Sequence, residues 1–92
     1  MAHTIREKSK LISRVRRLRG QIEAVERGLE EDVSCAQILQ LVASIRGAIN
    51  GLTAKLIEDH IREQVVDPAS EPDTRKAEGA KELIDVLHTY MK

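Results

Sequence analysis

The chain is 92 residues long, which suffices for one small domain over 1–92 and is too short for two cores. Apolar residues make up 41% and charged residues 33%, a balance that excludes a disordered tail and suits a helical protein. Formal net charge is zero, but residues 1–20 hold seven basic side chains against Glu7 alone, and the remainder carries the compensating −6.

Thr4-Ile5-Arg6-Glu7 fits a capping box, and apolar residues follow at Leu11, Val15, Leu18, Ile22, Val25 and Leu29. The 3–4 alternation predicts a first helix over about residues 5–30. Ser34-Cys35-Ala36-Gln37 is a second capping box, followed by Ile38, Val42, Ile45, Ile49, Leu52 and Leu56. It opens a helix over about 34–65, which Pro68 terminates by forcing its predecessor out of the α region. Pro72 suits the first turn of a third helix over about 73–91, with Ala77, Ala80, Ile84, Leu87 and Met91 as its stripe. His88, at the edge of that stripe, is read as a packing residue.

The middle helix is about 48 Å long, whereas a compact chain of this size is about 30 Å across. One first helix and a short third cannot cover it, and Gly47 and Gly51 weaken it unless another backbone approaches there. The expected fold class is therefore all-α. A three-helix subunit, made of a long antiparallel hairpin plus a short third helix, assembles as an antiparallel dimer and tetramer.

That geometry places the thiol and the imidazoles. Cys35 and His60 stand 25 positions apart on one helix and point within about 20° of each other, yet about 37 Å apart. Antiparallel pairing brings Cys35 of one chain beside His60 of the other, twice per dimer. Folding the first helix back near Asp32-Val33 sets residue 3 opposite residue 62, so His3 joins His60. Two imidazoles and a thiolate suit nickel, cobalt, zinc or copper, not magnesium or calcium. Removal of Met1 frees the Ala2 amine as a further ligand, and Gln64, one turn beyond His60, is a weak one. No metal is required for folding. A nucleophilic Cys–His enzyme lacks an oxyanion hole, a substrate pocket and an orienting third group, so no catalysis is expected.

Arg14 and Arg17, with Lys10, Arg16 and Arg19, flank the apolar stripe of the first helix with positive charge, a surface suited to double-stranded DNA. No helix-turn-helix, finger or zipper spacing is present. With one Tyr and no Trp or Phe, there is no stacking platform for single strands. The lone Cys35 cannot close a disulfide within the chain, and neither an apolar leader nor a membrane-length run is present, so the expected compartment is the cytoplasm with no membrane partner.

The runs Arg14-Val15-Arg16-Arg17-Leu18-Arg19-Gly20-Gln21-Ile22 and Ile45-Arg46-Gly47-Ala48-Ile49-Asn50-Gly51-Leu52, with Cys35 and Asp59-His60, resemble the CsoR/RcnR family of bacterial repressors. The resemblance covers essentially the whole chain and lies closest to the RcnR/FrmR-type branch. It implies a dimer of dimers that represses a nearby efflux or detoxification operon and leaves the operator when its effector binds. Arg14 and Arg17, beside Arg16 and Arg19, map onto the family's DNA contacts; the N-terminus, His3, Cys35 and His60 map onto its effector positions. Nickel/cobalt members carry His where this chain has Gln64. Formaldehyde members begin with Pro where it has Ala2, and the second cysteine of copper sensors is absent. The expected effector is nickel/cobalt or zinc. Formaldehyde bridging the N-terminal amine to Cys35 is the alternative, and a helical module meeting an acidic protein is a second one.

Overall fold

Three helices in an antiparallel hairpin-plus-one arrangement make up residues 7–91, the part of the chain that the computed structural model describes. Helix α1 spans Lys8–Glu30, α2 spans Cys35–His60 and continues into a π-helical turn at Ile61–Val65, and α3 spans Thr74–Tyr90. The boundaries follow the apolar periodicity closely. Helix α1 starts later than expected: Glu7 is its N-cap and makes no side-chain capping hydrogen bond among the described residues. Thr4, the other half of that predicted box, lies outside the described residues.

The turn between α1 and α2 is closed by backbone chemistry. Asp32 adopts a left-handed φ of 55°, while Val33 N–H reaches Gly28 O at 3.0 Å and Asp32 N–H reaches Leu29 O at 3.3 Å. This is a Schellman ending with Asp in the place glycine usually holds. Gly28 is buried because α2 approaches it closely: a Cβ there would stand 2.8 Å from Ile38 Cδ1 and 3.1 Å from Val33 Cγ2. Ser34 then caps α2 as the sequence predicts. Its hydroxyl accepts from Gln37 N–H at 3.2 Å, and the Gln37 side chain accepts from Ser34 N–H at 3.3 Å.

Pairing of Gln21 Nε2 with Ser44 Oγ, and of Arg14 with Gly51, fixes one antiparallel register for the hairpin. Each apolar stripe resolves into two rows with a seven-residue repeat. Leu11, Leu18 and Val25 on α1, and Ile38, Ile45 and Leu52 on α2, are buried or half-buried in the seam. Val15, Ile22 and Leu29 on α1 are 51–62% exposed, and Val42, Ile49 and Leu56 on α2 are 38–46% exposed. A seven-residue repeat is the signature of coiled-coil packing, and here only half of it is used within the chain.

The chain is correspondingly long and thin, 57 × 25 × 12 Å, with a radius of gyration of 17.3 Å against about 12 Å for a compact globule of this length. Its tightest packing lies where α3 crosses the end of α2, around Ala54, Ile61, Ala80 and Ile84. Pro72 does not open α3. Asp73 is the N-cap, its carboxylate accepting from Arg75 and Lys76 N–H, and Pro72 lies just before it. An aspartate cap satisfies orphan amides that a first-turn proline cannot reach. No described helix is long and apolar enough to cross a membrane.

Candidate functional site

Cys35 is the first residue of α2, a free and exposed cysteine beside the hairpin turn. His60 is the last α-helical residue of α2, also exposed, and Gln64 lies exposed within the π-turn that follows. The α2 helix between them is unbroken, so thiol and imidazole stand about 37 Å apart within one chain. Among the described residues no cluster of three His, Cys, Asp or Glu side chains could hold a metal ion. The donor types suit a transition metal, but one chain alone cannot bring these two together. His3 and Ala2 lie outside the described residues. The antiparallel register sets the beginning of α1 beside the His60 end of α2. An open groove of about 430 Å³ between the helices is lined by Arg27, Gly28, Gln37, Leu41 and Ser44 among others, and Cys35 is not part of its wall.

Lys10, Arg14, Arg16, Arg17 and Arg19 are all exposed on α1. Lys10 stands 4.0 Å from Glu7, whereas among the described residues the four arginines form no salt bridge. Unpaired guanidinium groups on one helix leave their charge available to an external anion.

A charged cluster that the sequence did not reveal sits next to His60. His88 Nε2 on α3 donates to Glu58 Oε1 at 2.6 Å, and Arg62 Nε donates to Glu58 Oε2 at 3.0 Å. Arg62 also reaches Asp67 Oδ1 at 3.5 Å. His88 is therefore not an apolar packing residue: its ring pins α3 to α2. The 30-residue separation carries no periodic signal, because the turn between α2 and α3 decides where α3 lands. Asp59 is buried, with one oxygen 3.2 Å from Lys55 Nζ and the other without a partner among the described residues. The i,i+4 spacing of Lys55 and Asp59 was the available clue.

Burial works to raise the Glu58 pKa, but hydrogen bonds from His88 and Arg62, with the charges of Arg62 and Lys55, outweigh it and hold the carboxyl below its ordinary value. A depressed folded value stabilises the fold above the unfolded glutamate pKa of about 4.3, and that contribution is lost as pH falls further. Metal-free Glu58→Gln protein should show a weaker fall of melting temperature between about pH 5 and pH 3 than wild type. Equal slopes in thermal melts across that range would contradict the assignment.

Comparison with known proteins decides the family. The model of the metal-sensitive transcriptional repressor family matches residues 7–89. The chain belongs to this repressor family. The Transcriptional repressor RcnR of Salmonella paratyphi B is 40% identical over 92 residues, covering 100% of both chains. An uncharacterised protein encoded in the bioA 5′ region of Serratia marcescens is 45% identical over the same full lengths. A solved structure of a variant of the Formaldehyde-Responsive Regulator FrmR from Salmonella enterica serovar Typhimurium matches with TM-score 0.65 and 41% identity, covering 92% of this chain and 94% of that one. The repressor family thus accounts for the all-α architecture without an enzymatic role, as the sequence led one to expect.

Proposed function

We propose that this repressor binds double-stranded operator DNA through the α1 face and is released by an effector held between subunits. Arg14 and Arg17, with Lys10, Arg16 and Arg19, contact phosphates and groove edges; Cys35 of one protomer meets His60, His3 and the Ala2 amine of its partner. The observation that supports this most directly is an exposed thiol and an exposed imidazole at opposite ends of one continuous helix, whose outer apolar rows are uncovered. Antiparallel pairing covers those rows and closes two sites at once, and a dimer of dimers extends the DNA surface.

The effector in this reading is a transition metal, nickel/cobalt or zinc, consistent with the description of the family. A bound metal would supply charge and a rigid link between the α1 end of one protomer and the α2 start of the other. Gln64 is a weak ligand and leaves the set dependent on Cys35, His60 and the N-terminus. Formaldehyde is the second reading, favoured by the likeness to FrmR. There the Ala2 amine adds to formaldehyde, and the Cys35 thiol displaces water from the hydroxymethyl amine. One methylene then joins N to S, and one water leaves. In both readings the cytoplasm is the setting.

Titrating nickel, cobalt, zinc and formaldehyde against the protein bound to DNA from upstream of its own gene tests the choice. Release by a metal with unchanged protein mass supports the first reading; release by formaldehyde with about +12 Da, the mass of a methylene bridge after loss of water, supports the second. No shift of that DNA at any salt concentration would overturn the repressor mechanism and leave the acidic-protein module.

A further inference from the structure

Five glycines occur in the chain, and four lie within the two long helices, where each weakens its helix relative to alanine. Gly28 is explained by the close approach of Ile38 and Val33. Among the described residues, a Cβ at Gly20 or Gly47 would meet nothing within 4 Å. Gly51 differs from all of these: among the described residues a Cβ there would meet one neighbour, Arg14 Nη1, at 3.5 Å. The guanidinium of a candidate DNA-contacting arginine on α1 therefore reaches across the seam to the α2 surface at Gly51. Arg14 stays exposed, Gly51 is half-buried, and no salt bridge among the described residues holds the arginine in place. Long cationic side chains lie along surfaces while keeping their heads in water, and the small residue at position 51 leaves this one its place, since even a Cβ there would stand 3.5 Å from Nη1.

We infer that Gly51 is a positioning residue for DNA binding, a seat that holds the Arg14 guanidinium against α2 and so aims it. The inference rests on Arg14 contacting DNA, as proposed above. Its consequence concerns regulation, because the helix that carries Cys35 at one end and His60 at the other also sets where Arg14 points. A shift of α2 against α1 moves the seat, and the arginine with it, without any change in the net charge of the face.

The test is the salt dependence of binding by the full-length, metal-free protein to labelled duplex from upstream of its gene. Each phosphate contact contributes about 0.9 to the slope of log affinity against log salt. An alanine methyl at 51 would make an ordinary contact with Nη1, so Gly51→Ala should keep the wild-type slope. Gly51→Leu adds bulk beyond that methyl on the side where the guanidinium lies; it should weaken binding on the order of tenfold and flatten the slope by about one unit per engaged subunit. Gly51→Val, a smaller intrusion, serves if the leucine variant loses helicity or assembly. Gly47→Ala, in open space one turn away, should change nothing. Arg14→Ala should match Gly51→Leu, and the double variant should lose no more than either alone. Additive losses, or a wild-type slope in both bulky Gly51 variants, would overturn the seat. An unchanged slope in Arg14→Ala would instead remove Arg14 from the interface, and the seat with it.

Discussion

Replacing Cys35 with alanine is expected to leave operator affinity intact and to abolish its loss on adding effector. The coupling at stake is about 1–3 kcal/mol, a 5- to 150-fold change in affinity for typical allosteric pairs. The asymmetry follows from where the residue sits. Cys35 is exposed at the first turn of α2, and the Ser34–Gln37 capping box next to it does not involve the thiol, so its removal costs little stability. It also lies at the opposite end of α2 from the α3 junction and makes no part of the basic face. His60→Ala should show the same loss of response, whereas Arg14→Ala should bind DNA on the order of tenfold more weakly in the absence of any effector. A mixture sharpens the test. In an antiparallel dimer of one Cys35→Ala and one His60→Ala protomer, one site has lost both residues and the other retains both. Co-assembled variants should therefore regain part of the response that each lacks alone. Release of pure Cys35→Ala protein by effector, read as a mobility shift, would sink the inter-subunit site.

The helices were legible because two kinds of local signal agreed. Apolar spacing marked the spans, while Ser34 with Gln37 and the arrival of Pro68 marked ends whose chemistry is local. Legibility stopped where a neighbour in space decides the outcome. The stripe on α1 reads as one band in sequence, but it is two rows: Leu11, Leu18 and Val25 turn to α2, and Val15, Ile22 and Leu29 turn away. Hydrophobicity marks both rows alike and does not say which of them packs within the chain. Pro72 and Asp73 competed for one helix start, and the aspartate holds the cap because its carboxylate accepts from two amides. His88 looked apolar by position, and its partner Glu58 lies on another helix. The arginine face was legible as charge, and its seat at Gly51 was not, because a glycine's neighbours are invisible in sequence. The Cys35 and His60 placements follow from helix length alone, and His3 lies outside the described residues.

The uncovered rows carry the second large effect. Ile49 lies at the centre of Val42, Ile49 and Leu56 and is 46% exposed in the single chain. In an isolated protomer, Ile49→Glu places a charge at a half-solvated helical position and costs little. In the proposed assembly the same carboxylate is buried on the two-fold face without a partner, a penalty of several kcal/mol that is paid in every dimer. The two situations thus predict different things. If the rows are covered by a second copy, the variant keeps its helicity by circular dichroism but sediments as a monomer. It then loses both DNA binding and effector response, because neither the extended basic surface nor the Cys35–His60 pair survives separation. Lys81→Glu, an exposed change on α3, should leave the assembly as it is. A variant at Ile49 that still sediments with wild-type mass would show that this face is not where the chains meet. The closure of the effector site between protomers would then need another geometry altogether.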